Sequence, residues 1–223
     1  MKFHKSWISE MTTLTAKFPD GRVPITGFPG GKYKWRDQTK QASVFIPLCN
    51  RHGVASVLFT VRSQHVGTHK GQVSFPGGHL EPGESEIAAA HRETFEELGF
   101  TIGNLHTIGN CQTLPAKTLT PVHPVIGFIE QDVGDFEHFE PSAGEVERVF
   151  TRSIEQLLDP AYKRYETLQR DEKSPKVTMP VYGWPDENGD KNSIEYQERI
   201  WGLTALILES VLAKVVAPTR QEL

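Results

Sequence analysis

At 223 residues, 37% of them hydrophobic and 23% charged, the chain can build a sizeable core and is too apolar for wholesale disorder. Its net charge of −4 offers no basic field, which argues against nucleic acid as a partner. No apolar run approaches the ~20 residues of a membrane helix, and the opening MKFHKSWISEM lacks the apolar stretch of a secretory signal, so neither a membrane nor secretion is expected.

Cys49 and Cys111 lie far apart in no metal-ligand spacing, and read as small core residues of an intracellular protein. Lys2, His4 and Lys5 precede the first acid without forming an Arg-rich transit pattern, which leaves the cytoplasm and the mitochondrion both open. The closing Arg220-Gln221-Glu222-Leu223 is not a peroxisomal tripeptide of the Ser-Lys-Leu type.

Residues 1–42 are polar and punctuated by Gly and Pro, with room for one short helix before Pro19; they read as an N-terminal extension. The domain is expected over 43–215, with a short tail at 216–223. Ser43 to Leu48 and Val54 to Arg62 are β-branched, apolar runs flanking Asn50-Arg51-His52-Gly53, the pattern of a hairpin. Gln72 to Phe75 makes a short strand ending at Pro76-Gly77-Gly78, and Ser85 to Gly99 makes a helix. Further strands are predicted near Leu105 to Ile108, Val122 to Ile129, Val146 to Phe150 and Val177 to Tyr182.

Ser153 to Leu158 and Ile200 to Val215 carry helical spacing, the second with Leu203, Leu206, Ile207, Val211 and Leu212 on one apolar face. Lys163, Arg164 and Tyr165 read as solvated surface, and Asp186 to Asn192 as a polar loop. Phe28-Pro29-Gly30-Gly31 echoes Phe75-Pro76-Gly77-Gly78, but no acidic helix follows it, so it reads as a turn. Strands and helices interleave without a regular βαβ period, which makes this one α+β domain rather than a dinucleotide-binding fold.

The helix from Ser85 to Gly99 carries the chemistry. Ser85 suits the N-cap, Glu86 the positive helix start and Gly99 the left-handed C-cap. Ile87, Ala90, His91, Thr94 and Leu98 share one face, suited to burial; Glu86, Glu93, Glu96 and Glu97 gather on another. Like charges at i, i+3 and i, i+4 each cost roughly 0.2–0.5 kcal/mol in an isolated helix. Glu-x-x-Glu-Glu alone is commonly solvated surface. Crowded carboxylates are also the donors that Mg²⁺ prefers.

The surroundings decide between those readings. Gly78, five residues, Glu84, seven residues and then Arg92-Glu93-Thr94-Phe95-Glu96-Glu97-Leu98-Gly99-Phe100 resembles the Nudix box throughout. One departure is Thr94, where the family has a bulky aliphatic residue. The resemblance implies a Nudix-type α/β/α sandwich with a mixed central sheet, and a metal-dependent enzyme that cleaves a diphosphate linked to another moiety. It implies Glu93 and Glu97 as ligands of Mg²⁺ (or Mn²⁺), with Glu96 sharing the metal or orienting water. Arg92 would hold the glutamates, Glu84 would support the helix start, and Gly78 would allow a tight turn or offer its carbonyl. Glu145 is the candidate general base from outside the box, although Glu140, Glu145 and Glu147 could equally line a solvated loop.

Upstream, Leu58-Phe59-Thr60-Val61-Arg62-Ser63 and His69-Lys70-Gly71-Gln72-Val73-Ser74-Phe75-Pro76-Gly77-Gly78 resemble the signature of the coenzyme A diphosphatase branch. Phe59 replaces a leucine there, and Gly67 stands where the signature has an arginine. Glu145-Val146-Glu147-Arg148-Val149-Phe150 and Trp201-Gly202-Leu203-Thr204-Ala205 resemble later segments of that branch. The substrate implied is a small nucleoside diphosphate derivative, coenzyme A or an acyl thioester of it, with Arg62, His69 and Lys70 as phosphate partners. Phe75 and Trp201 read as core rather than adenine-stacking residues. The alternatives are an enzyme for NADH, ADP-ribose or capped RNA ends, and a non-catalytic Nudix-fold subunit of a larger assembly. A homodimer fits either reading.

Overall fold

The structure is a computed structural model describing residues 1–27, 40–67, 69–99, 105–169, 176–183 and 198–220. The Phe28 to Gly31 turn, Phe100 and the Asp186 to Asn192 loop lie outside the described residues. Along the chain, α1 (Lys5–Thr15) and β1 (Arg22–Val23) precede the hairpin β2 (Ala42–Arg51) and β3 (Val54–Arg62). Then come β4 (Val73–Ser74), β5 (Gly77–His79), α2 (Glu86–Leu98), β6 (Leu105–Cys111), β7 (Leu114–Pro115), β8 (Pro121–Ile129) and β9 (Val146–Ser153). The rest is α3 (Ile154–Leu158), β10 (Lys163–Leu168), β11 (Val177–Tyr182) and α4 (Gly202–Val211).

The predicted hairpin forms because His52 and Gly53 both take positive φ, 48° and 75°, whose twist matches that of the flanking strands. His52 tolerates that conformation because the Asp132 carboxylate accepts its N–H at 2.8 Å and that of Gly53 at 2.7 Å. β2 lies parallel to β8, and β8 antiparallel to β6, whose far edge takes β1 in parallel. On the other side β3 pairs antiparallel with β4 and β9, β5 folds back on β2, and β7 on β8.

Alternation along the strands sorts side chains into two layers. Phe45, Cys49, Leu58, Val125 and Ile129 pack with Ala90 and Leu98 of α2. Ile46, Leu48, Val57, Phe59 and Ile126 join Trp7 and Met11 of α1 and Leu206 and Ile207 of α4 on the opposite face. β8 is buried along its whole length because both its faces are covered. The result is an α+β protein of the expected kind, an α/β/α sandwich on a mixed sheet. Both cysteines are buried and free. Among the described residues no helix is long and apolar enough to cross a membrane.

Three details differ from the sequence reading. Residues before Ser43 contribute to the core: Phe3, Trp7, Met11, Val23 and Ile25 are buried, and Trp7 Nε1 donates to Thr219 Oγ1 at 2.9 Å. Lys163 to Tyr165, with Arg164 and Tyr165 exposed as expected, belong to a strand the sequence did not show, β10, paired with β11; its polar side chains hide the strand from any apolar pattern. Tyr165 and Lys163 both donate to Glu209 of α4, Lys163 at 2.9 Å. The last helix holds its α-form to Val211, and Leu212–Val216 widen into a π turn.

Candidate active site

The α2 helix starts where Ser85 Oγ accepts the Ala88 N–H at 3.2 Å, and it stops at Gly99 with φ 70°. Ala90, Thr94 and Leu98 of the predicted face are fully buried, together with Ala89, and His91 is half-buried. Ile87, by contrast, is 36% exposed. Thr94 stands in place of an aliphatic residue without a buried unpaired hydroxyl, since its Oγ1 donates to the Ala90 carbonyl at 2.6 Å.

Arg92 is the hub of the acidic face. Its Nε and Nη2 donate to the two oxygens of Glu84 at 2.9 and 3.0 Å. Nη1 donates to Glu93 and Glu96 at 3.0 Å each, and Nη2 also to the His79 carbonyl at 2.9 Å. All five N–H donors of the guanidinium are thereby engaged. The bond to Arg92 lowers the Glu84 pKa, and its carboxylate partners keep Arg92 firmly protonated. β5 explains the glycine before the box. Pairing with β2 brings Gly78 against α2 so closely that a Cβ there would lie 2.4 Å from the Glu93 carboxyl carbon.

Glu97 is only 3% exposed. Its oxygens meet the Gly77 N–H at 3.3 Å and Arg62 Nη1 at 3.8 Å. Burial pushes its pKa up to about 8, against the opposing pull of Arg62, and the negative charges of Glu145 and Glu93 add to the rise. Glu93 is raised for the same reason, burial first, with Arg92 opposing and Glu96 and Glu145 adding. Glu145 is exposed, and its backbone is fixed: its carbonyl accepts the Ser63 N–H at 2.8 Å and its N–H donates to the Ser142 carbonyl at 2.9 Å.

Glu86 does not join this group, contrary to its place on the acidic face in sequence. It turns to Arg22 at 2.7 and 2.9 Å and to His123 Nδ1 at 3.2 Å. The bond to His123, helped by Arg22 against burial, lowers its pKa to about 2.

Among the described residues no three His, Cys, Asp or Glu side chains are drawn into a ready-made metal cage. Arg92 holds Glu93 and Glu96, and Arg62 faces Glu97. The donor chemistry still fits a hard divalent cation: three carboxylates on neighbouring turns, two of them made harder to ionise by burial first and by nearby acids second.

Beside the carboxylates opens a cleft of about 600 Å³. Arg62, His69, Gly77 and Gly78 form its polar side, and Val44, Val73, Met179, Leu203, Leu206 and Ile207 its apolar interior. His69 holds φ 59° and pairs through Nδ1 with Gln72 Oε1 at 2.8 Å. Lys70 is exposed and does not line the cleft, and Gly67 sits in the same exposed loop. Phe75 is buried and stacked on Phe59, centroids 5.4 Å apart, as core. Trp201 is only half-buried and faces the cleft. Sequence reasoning missed Lys117 and Met179, which reach the cleft from the loop after β7 and from β11. Neither lies in a motif, and only the fold brings them near the box.

Residues 39–171, more than half of the chain, match the NUDIX domain family. Nudix hydrolase 3 of Caenorhabditis elegans is 32% identical over 79% of this chain and 73% of its own length. The protein named mitochondrial coenzyme A diphosphatase in Mus musculus is 34% identical over 82% of this chain and 81% of its own. Among solved structures, a C. elegans Ap4A hydrolase binary complex aligns with TM-score 0.41 and 24% identity, over 52% of this chain and 81% of that one. Nudix hydrolases generally use a divalent metal, and the carboxylates of α2 are of the type such a metal takes. By the family match and the identity to these relatives, the chain belongs to the Nudix hydrolases.

Proposed function

We propose that this hydrolase cleaves the diphosphate of coenzyme A or an acyl-coenzyme A, releasing 3′,5′-ADP and a 4′-phosphopantetheine species. The observation that carries the reading is the placement of the upstream signature. Its Arg62 stands between the buried Glu97 and the cleft, with His69 on the same side. The identity to proteins named mitochondrial coenzyme A diphosphatase supports the same substrate and makes the mitochondrion the favoured compartment.

In this reading Glu93, Glu96 and Glu97 would hold Mg²⁺ or Mn²⁺, which would neutralise the diphosphate charge and favour deprotonation of the attacking water. Arg92, with every donor engaged, fixes the glutamates from behind. Glu145 accepts the proton of the attacking water. One new P–O bond forms to that water oxygen, the bridging P–O bond breaks, and the electron pair leaves on the departing phosphate. Arg62 and His69 bind phosphate oxygens, and Lys70 adds positive charge outside the cleft.

Products identified by mass, with coenzyme A, acetyl-coenzyme A, dephospho-coenzyme A, NADH and ADP-ribose each supplied with Mg²⁺, test the proposal. Coenzyme A forms are expected to have the highest kcat/KM, and chelator is expected to abolish turnover. Preference for NADH or ADP-ribose by about tenfold or more would sink the coenzyme A reading; that preference is about 1.4 kcal/mol. No turnover of any of them would favour an RNA-end substrate or a non-catalytic subunit.

A further inference from the structure

Two arginines face the carboxylates, and they are held very differently. Arg92 has all five donors bonded. Among the described residues Arg62 has one ion-pair neighbour, Glu97, at 3.8 Å, which is beyond a hydrogen bond. Its Nε is buried with no hydrogen-bond partner among the described residues. The Arg62 backbone is fixed on both sides, its N–H donating to the Gln72 carbonyl at 3.0 Å and its carbonyl accepting the Gly71 N–H at 2.9 Å. Only the side chain is free to change partner, and it lines the cleft with 26% of its side-chain surface exposed.

A desolvated carboxylate needs a nearby positive charge to ionise, and among the described residues Glu97 has the Gly77 N–H as its hydrogen-bond donor and Arg62 as its neighbouring cation. We propose that Arg62 is an exchangeable partner: it is the cation standing beside the Glu97 carboxyl in the metal-free protein, and it turns to the substrate diphosphate when Glu97 is committed to a metal cation. Two phosphates offer the short, paired acceptors that its guanidinium lacks at Glu97. Arg62 thereby makes cation and diphosphate binding cooperative, each raising the affinity of the other by the same factor. This rests on the reading of Glu97 as a cation ligand.

Calorimetric titration of the full-length protein tests it without turnover. Mn²⁺ is titrated alone, and α,β-methylene-ADP, which is not hydrolysed, with and without saturating Mn²⁺. Wild type and Arg62→Met are compared, with Arg62→Lys as a second variant that keeps the charge. The expected result for Arg62→Met is Mn²⁺ binding about threefold tighter in the absence of nucleotide, and a Mn²⁺-induced gain in nucleotide affinity at least fivefold smaller than in wild type. Arg62→Lys is expected to fall between the two.

An Arg62 that only binds phosphate would weaken the nucleotide equally with and without Mn²⁺, and that result overturns the proposal. Unchanged nucleotide binding in the presence of Mn²⁺ overturns it too, since Arg62 would then be a partner of Glu97 alone. Absence of Mn²⁺ binding in wild type would overturn both this proposal and the metal reading beneath it. Neither titration depends on which diphosphate is turned over, so failure of the coenzyme A assignment remains separate.

Discussion

The two ends of α2 carry acids of the same type in opposite electrostatic states. At the N-terminal end Glu86 meets a histidine and an arginine within hydrogen-bond distance, and its pKa falls to about 2. At the C-terminal end Glu97 is nearly sealed from water, has its arginine at 3.8 Å, and is pushed up to about 8. The first arrangement joins β1 and β8 to the helix start and stabilises the fold. The second buries a carboxyl that is hard to ionise, beside a cleft that a ligand can enter. A glutamate's role on this helix is set by the distance to its cation, which the helix does not control.

The largest expected effect breaks the functional end. Glu93→Gln and Glu97→Gln are each expected to cut kcat by roughly a hundredfold or more while the fold persists, because under the proposed function each removes a metal ligand and its water activation. Steady-state kinetics with circular dichroism checks this, and unchanged kcat in both variants would remove these carboxylates from the metal site.

Stability should move the other way. Glu97 ionises near pH 8 in the folded chain and near 4.5 otherwise, so folding favours its protonated form. Stability is full below about pH 4.5 and declines as pH rises towards 8, the unfolded chain losing its proton first. With chelator present, Glu97→Gln is expected to gain about 2–4 kcal/mol above pH 8 and nothing below pH 4.5. Urea unfolding across that range tests it, and a pH-independent gain would argue against the buried charge as the cause.

Between the two ends, Arg62→Ala is expected to lose roughly 1.5–3 kcal/mol in kcat/KM, about ten- to a hundredfold, the value of a charged hydrogen bond. If Arg62 contacts the 3′-phosphate, coenzyme A suffers more than dephospho-coenzyme A; an equal loss places it on the diphosphate.

The smallest effect breaks the structural end. Glu86 is harder to protonate when folded, so its contribution is present above about pH 4.5 and fades as pH falls towards 2. Glu86→Gln is expected to cost about 1–2 kcal/mol near pH 7, reduced for partial solvent screening. The gap to wild type should close in acid. Turnover near neutral pH should change little, and a loss as large as that of Glu97→Gln would erase the contrast between the two ends.

The sequence by itself determined the hairpin, the α2 caps and the order of the main strands. These depend on local preferences: positive φ at His52-Gly53, an N-cap serine at Ser85, and continuous β-branched, apolar runs along β2 and β3. It also determined the family, because the Nudix box keeps its residues at fixed spacing within one helix and the turn before it. Tertiary structure alone decided what each acid became. Glu86 and Glu97 differ because Arg22 and His123 come from β1 and β8, whereas Arg62 comes from β3 and stops short of Glu97. It likewise hid β10, built of polar residues that form a strand only against β11, and drew Trp7 of the opening helix onto Thr219 near the other end. Backbone preference acts over a few residues and leaves its mark in the sequence. Burial and charge pairing act through space, and the fold alone sets those distances.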